Sequence, residues 1–279
     1  MNDLGKYLNK ITCGDCLELM PELPDKSIDM ILCDLPYGTT ACNWDVVIPF
    51  EPLWEQYKRI AKDNAAIVLF GSQPFTTDLI NSNRVWFRYE WIWNKRIGAN
   101  FLNAKIRPIM IHENILIFSK SQASNGAKNL IKYNPIMEKG KIRKEKINKR
   151  FKARNPKYHH LHERGAETKY YDEYYPKTII DIIRDTNNNR HATQKPVSLF
   201  AYLIKTYSNE GDIILDNCSG SGTTAEVCIK TNRNFICFEI NEDDVKKSRE
   251  RIRPYQEEMK LPLEDEKPEP ILEQGRIFT

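Results

Sequence analysis

An α/β fold built on a mostly parallel sheet is predicted by three features of the sequence. Apolar runs of strand length, "SIDMILCD", "AAIVLFGS", "DIILD" and "NFICFE", alternate with segments whose apolar residues have helical spacing, such as "PFEPLWEQYKRIA" and "VSLFAYLIKTYS". Strands apolar throughout are those covered on both faces by crossover helices. A glycine turn, "CSGSG", stands directly between a strand and a helix, the arrangement that presents backbone N–H groups to a ligand. Finally, the alternation is interrupted once, over residues 121–190, so the fold is expected to carry an insertion.

In chain order, "KITCGD" reads as a strand, "CLELMPELPD" as a short helix interrupted by prolines, and "SIDMILCD" as a buried strand. "PFEPLWEQYKRIA" follows as a helix and "AAIVLFGS" as a strand ended by glycine, with "RYEWIWNK" and "HENILIFSK" as two further strands. Within 121–190, Asn, Lys, Arg and Tyr dominate, yet "KYYDEYYP" and "TIIDII" imply some structure. Alternation then resumes with the helix "VSLFAYLIKTYS", the strand "DIILD", the glycine turn, the helix "TTAEVCIKT", the strand "NFICFEI" and the helix "EDDVKKSRERI". The expected organisation is therefore 1–120 and 191–255 as two parts of one domain, 121–190 inserted between them, and 256–279 as a charged, proline-rich tail.

With 279 residues, 41% of them hydrophobic, the chain can bury a sizeable core. No apolar run approaches the roughly 20 residues that span a bilayer, and "MNDLGKYLNK" has no apolar signal core, so no membrane contact and a cytoplasmic location are expected. Seven cysteines, an odd number scattered through apolar segments, read as reduced thiols. The lone CxxC of Cys13 and Cys16 lacks a second pair, and His159, His160 and His162 lie in a basic polar stretch, so no metal is expected. Net charge is only +4, but residues 121–190 hold 17 Lys and Arg against 8 Asp and Glu, making them +9 and the remainder −5. A basic island in an acidic chain suggests a polyanionic partner.

Two motifs carry the chemistry. "DIILDNCSGSGTTAEVC" sets Asp216, Gly220 and Gly222 between a strand and a helix, and Glu239 ends the next strand. Glycines admit a ligand close to the backbone, and an acid about 20 residues on can accept ribose hydroxyls, so the unit binds a nucleoside cofactor. Ala225 completes the relaxed dinucleotide pattern, which leaves NAD and S-adenosylmethionine both open. The second motif, "CDLPYGTT", puts an acid, a proline and a tyrosine at the carboxyl end of a buried strand, where open α/β sheets bind ligands. By themselves these letters are read more readily as an acidic turn residue, a proline that stops the strand and a tyrosine covering an edge.

Together the motifs resemble a known family. "DLPYG" is similar to the Asp/Asn/Ser-Pro-Pro-Tyr motif of DNA amino-methyltransferases, "DNCSGSGTT" to their cofactor motif, "HATQKPVSLFAYLI" to the segment preceding it, and "FGSQPF" to a further motif. Catalytic motif first, then a basic region, then the cofactor motif is the order of the β class. The resemblance covers roughly residues 10–120 and 190–252. It implies a Rossmann-like S-adenosylmethionine-dependent methyltransferase fold with 121–190 as target recognition region. The implied activity is methyl transfer to adenine N6 in double-stranded DNA by base flipping, Asp34 favouring adenine over cytosine N4. A homodimer and a cognate restriction endonuclease are partners it leaves open.

Residue by residue, the resemblance implies that the Asp34 carboxylate and the Leu35 carbonyl accept from the target amine, Pro36 fixes the backbone and Tyr37 stacks on the base. S-adenosylmethionine would meet Gly220, Gly222 and Thr223 at its methionine end, Asp216 at its amino group, Glu239 at its ribose, Asp15 and Cys16 near its adenine, and Thr193, Gln194 and Lys195 on its carboxylate side. Phe70 fits a core role and a cofactor-stacking role equally. Arg143, Lys144, Lys149, Arg150 and Arg154 are expected on DNA phosphates. Two departures stand out: Leu35 replaces a proline whose role is carried by its carbonyl, and Cys218, also on the cofactor side, replaces a phenylalanine. An NAD-dependent oxidoreductase would leave "DLPYG" and the basic insertion without a task, and a non-catalytic DNA-binding protein would leave Asp34, Pro36 and Tyr37 without one.

Overall fold

A computed structural model describes residues 4–39, 45–99, 101–147, 167–183 and 194–258. The first half contains β1 (Lys10–Cys13), α1 (Cys16–Leu19), β2 (Ile28–Cys33), α2 (Phe50–Ile60), β3 (Ala61–Gly71), α3 (Phe75–Ser82), β4 (Phe87–Ala99) and β5 (Met110–Phe118). The basic segment supplies β6 (Glu138–Ile147), β7 (Glu167–Tyr174) and β8 (Ile179–Asp181). The remainder is α4 (Val197–Tyr207), β9 (Ile213–Asp216), α5 (Thr223–Lys230), β10 (Asn234–Glu239) and α6 (Glu242–Glu258). The helix α6 thus runs past the expected start of the tail at 256, and residues 259–279 lie outside the described residues.

Eight strands form one sheet in the order β1-β10-β9-β2-β3-β5-β4-β8. From β1 to β3 neighbours are parallel; β5 then runs antiparallel to β3 and to β4, and β8 runs parallel to β4. The sheet is therefore mostly parallel, as predicted, with one reversal at β5. Its apolar strands bury both faces. In β3, Ala66, Val68 and Phe70 face a cluster with α4, α5 and α6, while Ala65, Ile67 and Leu69 face another with α2 and α3. The two-residue period of the strand divides one apolar run between two layers. The helix α2 answers with Leu53, Trp54, Tyr57 and Ile60 on one stripe, all buried.

The basic segment is rooted before it departs. Ser121 donates to the Asp63 carbonyl at 2.8 Å, and Asn134 reaches the end of α4 through its backbone N–H to Thr206 and its side chain to Ser208. Lys132 Nζ lies 3.2 Å from Asp29 and 2.5 Å from Asp212, and Asp29 is also paired with Lys62 at 2.7 Å. Only after these anchors do β6 and β7 pair antiparallel as a separate two-stranded sheet, and β8 returns to the edge of the main sheet beside β4. Arg143 lies over the Tyr174 ring and Lys144 over the Tyr170 ring, each at 6.0 Å. Lys149, Arg150, Arg154 and the three histidines at 159, 160 and 162 lie outside the described residues.

Candidate active site

Parallel strands deliver their carboxyl ends to one rim, and this sequence loads that rim with acids. Asp34 follows β2, Asp216 ends β9 and Glu239 ends β10, while the reversed β5 brings Glu113 to the same place near its start. Asp34 is reachable, its side chain 27% exposed. The Tyr37 hydroxyl donates to Asp34 Oδ1 at 2.8 Å, and the Lys195 ammonium holds Oδ2. Leu35 between them is buried in the core and carries the turn.

Lys195 is the junction of this half of the site. Its ammonium is 3.3 Å from Glu113 Oε2 and 5.0 Å from the centre of the Phe70 ring. Lys95, on β4, pairs with Glu113 Oε1 at 2.9 Å. Burial pushes the Lys195 pKa down, but Asp34 and Glu113 outweigh it and the net shift is upward. Burial likewise pushes Glu113 up, and the neighbouring Lys195 and Lys95 reverse it to a net lowering. Glu113 and Lys195 are thereby each shifted toward their charged forms, within a mostly buried network that also contains Asp34 and Lys95.

Several expectations need correction here. Lys195, expected toward a cofactor carboxylate, points instead at the proposed catalytic acid. Phe70 is wholly buried and stacks on Phe200 at 5.6 Å and 12°, packing beneath Lys195 as its core reading has it. Tyr37 is half-buried, its ring stacked on Phe75 at 5.0 Å and 27°. Burial, then the Asp34 charge, push the Tyr37 phenol well above its usual range, so it remains a donor.

In the cofactor half the acids are satisfied by neutral groups. Asp216 is buried and accepts from the Cys218 N–H at 3.2 Å and from the Thr224 hydroxyl, and burial raises its pKa to about 7. One bond falls on each oxygen, so each keeps a second lone pair for the cofactor amine that the resemblance implies. Glu239 accepts from the Gly220 N–H at 2.7 Å and the Asn241 N–H at 2.9 Å, one on each oxygen, fixing the glycine turn. Each oxygen keeps a second lone pair for a ribose hydroxyl.

The two glycines separate in role. Gly220, at φ +47°, has open space where a Cβ would stand; Gly222, at φ +74°, would drive a Cβ to 2.7 Å from Ser248. So Gly222 serves the packing of α6 and Gly220 faces the opening. Thr223 is buried, its hydroxyl 3.1 Å from Arg251, and therefore supports the turn from behind. Asp15 caps α1 by accepting from the Leu17 N–H at 2.8 Å, and Cys16 is buried beneath it. Asn217 donates to the sulfurs of Cys16 and Cys218 at 3.5 Å each, so a polar cluster takes the place of the expected phenylalanine.

Gln194 Oε1 and Ser219 Oγ are buried without a hydrogen-bond partner. Buried polar atoms without partners are costly, and a bound polar ligand would satisfy them. With Gly220 and Glu239 they fit the needs of a nucleoside cofactor carrying an amino-acid end. Thr193 lies outside the described residues. The sequence reading missed Glu113, Lys95 and Phe75. A lone acid opening the apolar run "ENILIF" was the available signal for Glu113, and Phe75 closes the "FGSQPF" motif without having been singled out there; nothing local marks Lys95.

Comparison with known proteins agrees with this geometry. The family model for N6/N4 methyltransferases, described as DNA methylase, matches residues 28–250. The Type II methyltransferase M.HpaI of Haemophilus parainfluenzae is 28% identical over 87% of this chain and 74% of its own length. The DNA adenine methyltransferase YhdJ of Escherichia coli (strain K12) is 26% identical over 89% of this chain and 84% of its own. Among solved structures, the M1.HpyAVI-SAM complex superposes with a TM-score of 0.59 at 20% identity, covering 87% of this chain and 98% of that one. No helix among the described residues is long and apolar enough to cross a membrane. A family match spanning the catalytic rim, the basic segment and the glycine turn, on a fold that unites them, means that this chain belongs to the DNA methylase family.

Proposed function

We propose that this protein transfers a methyl group from S-adenosylmethionine to the N6 amine of a specific adenine in double-stranded DNA. The observation carrying the reading is the reachable Asp34 carboxylate, oriented by Tyr37 and Lys195, on the same rim as the glycine turn pinned by Glu239. The similarity to YhdJ, a DNA adenine methyltransferase by name, supports adenine as the base, and that to the M1.HpyAVI-SAM complex supports the donor.

When bound, S-adenosylmethionine supplies an electrophilic methyl group. The protein's residues do the rest. An adenine amine is a weak nucleophile because its lone pair is delocalised into the ring. Asp34 and the Leu35 carbonyl accept its two N–H bonds, and this favours a pyramidal nitrogen with its lone pair free. Asp34 retains capacity for that bond, since each of its oxygens keeps a lone pair beyond those used by Tyr37 and Lys195. Lys195 and Glu113 hold Asp34 in place. Tyr37, backed by Phe75, offers the aromatic surface; base–aromatic stacking of about 1–3 kcal/mol offsets much of the few kcal/mol spent on everting a base. Glu239, Gln194 and Ser219 hold the donor, and Asp216 takes its amino group once ionised. Arg143 and Lys144, with Lys149, Arg150 and Arg154, supply phosphate contacts from the basic segment.

Incubating the purified protein with DNA and methyl-labelled donor, followed by nucleoside mass analysis, tests this directly. Labelled N6-methyladenine is expected; labelled N4-methylcytosine would reassign the base, and no labelled base would end the reading. Methylation-aware sequencing of DNA from expressing cells then gives the recognition site. A restriction endonuclease with that same site is the expected partner, as the similarity to a Type II methyltransferase suggests. A homodimer would show in sedimentation.

A further inference from the structure

The β4–β5 arm is not explained by packing or by the chemistry above. It rises from the catalytic rim: Glu113 at its root contacts Lys195, Ser72 just beyond β3 donates to Met110 at 3.6 Å, and Ala99 pairs with Met110 above them. A Cβ on Gly98 would lie 1.9 Å from the Ile109 side chain, so the glycine lets the two strands of the arm pass closely.

Past that crossing the arm is apolar and bare. Leu102 is 99% exposed and Ile106 81%, and Ile97, Ile109 and Ile111 are exposed beside them. Isolated exposed leucines need no explanation, but five apolar side chains on one arm mark an interaction surface. Its charge identifies the partner. Residues 94–112 contain Lys95, Arg96, Lys105 and Arg107 and no Asp or Glu; Lys95 is consumed by Glu113, while Lys105 and Arg107 are exposed at the tip. Apolar side chains flanked by cations, at the mouth of a site acting on a base, suit a duplex whose stack is being opened. Proteins that kink DNA place Leu, Ile, Met or Phe between base steps in this way.

We propose that the β4–β5 arm enters the target duplex, Leu102 and Ile106 filling the space vacated by the everted base while Lys105 and Arg107 hold flanking phosphates. The inference rests on the DNA methyltransferase reading. It adds that eversion is driven by a part of the protein separate from the residues that receive the base.

The test uses two duplexes carrying the recognition site, one normally paired and one with an abasic position opposite the target base, where eversion is cheap. Leu102→Ala is expected to lose about tenfold or more in kcat/KM on the paired duplex and less than about threefold on the abasic-opposed one. Leu102→Met, which keeps the bulk, should restore most of the loss. Lys105→Ala and Arg107→Ala should each lower the slope of log affinity against log salt by about 1. Equal losses on both duplexes, no loss on either, or a dimer in sedimentation that Leu102→Ala converts to monomer would overturn the proposal, the last because a second copy would be the occupant. Wild-type protein that methylates neither duplex would instead sink the function reading itself.

Discussion

The two halves of the rim hold their carboxylates in opposite ways. Around Asp34 and Glu113 the partners include the buried cations Lys195 and Lys95, beside the Tyr37 hydroxyl on Asp34; around Asp216 and Glu239 they are backbone N–H groups and a hydroxyl only. Cation pairing outweighs the burial of Glu113 and lowers its pKa. Neutral donors do not fully offset burial, and Asp216 is left titrating at about 7. In the proposed roles, the half that faces the target amine is held by ion pairs, and the half that faces the charged cofactor contains one acid, Asp216, that can change its protonation.

The severest way to break this contrast is to remove the locked acid. Asp34→Ala should slow methyl transfer by at least one to two powers of ten, taking about 1.5–3 kcal/mol for a charged hydrogen bond. Single-turnover rates on labelled DNA, alongside calorimetric donor binding, separate the effects: binding should persist while transfer collapses. Near-normal transfer would remove Asp34 from its role.

A milder disruption keeps Asp34 and weakens its lock. Glu113→Gln leaves Lys195 buried with one counter-ion instead of two, and transfer is expected to fall about tenfold. Lys195, facing Asp34, Glu113 and Tyr37, should then lose its proton more easily, and the alkaline limb of the pH–rate profile should move to lower pH. Stability follows the same signs. The folded pKa of Glu113 lies below its ordinary 4.5, so its contribution is present above that value and lost as pH falls. That of Lys195 lies above 10.5, so its contribution is present below 10.5 and lost as pH rises. Melting temperatures of the wild type should therefore fall at both extremes, and the acid loss should shrink in Glu113→Gln.

How much of this could be read from the letters follows the same division. The strands β2, β9 and β10 and the second half of β3 were legible because each is a mostly apolar run, and the glycine turn because strand, turn, helix and acid stand within one stretch of sequence. Asp34 and Tyr37 became legible only through the resemblance of "DLPYG" to a family motif, since by themselves those letters read as a turn. The lock was not legible. Lys195 meets Asp34 across 161 residues, and Glu113 arrives only because β5 reverses direction, which its apolar run does not announce. The rooting of residues 121–134 is likewise invisible locally, since Lys132 looks like one more cation in a basic stretch until Asp29 and Asp212 are brought to it.

The adjustable half offers a smaller, pH-dependent effect. The folded pKa of Asp216, about 7, lies above its ordinary 3.8, so its protonated form stabilises the free protein at low pH and that contribution is lost as pH rises toward 7. A cofactor amine that prefers the carboxylate should bind more tightly over the same range, by at most about tenfold per pH unit below 7. Calorimetry of donor binding between pH 6 and 8, for wild type and Asp216→Asn, measures it. A flat wild-type profile would detach Asp216 from the donor.

Gly220→Ala should have the least effect on the fold, and it distinguishes an open turn from a merely permissive one. A left-handed alanine costs roughly 1–2 kcal/mol, which a melt should show. Because nothing in the protein lies within 4 Å of the added methyl, strain alone would leave donor affinity unchanged. If the turn faces the donor, the methyl projects into the space the donor needs, and affinity falls several-fold beyond what the melt explains. An unchanged affinity would move the donor off Gly220 and leave Glu239 pinning the turn for stability alone.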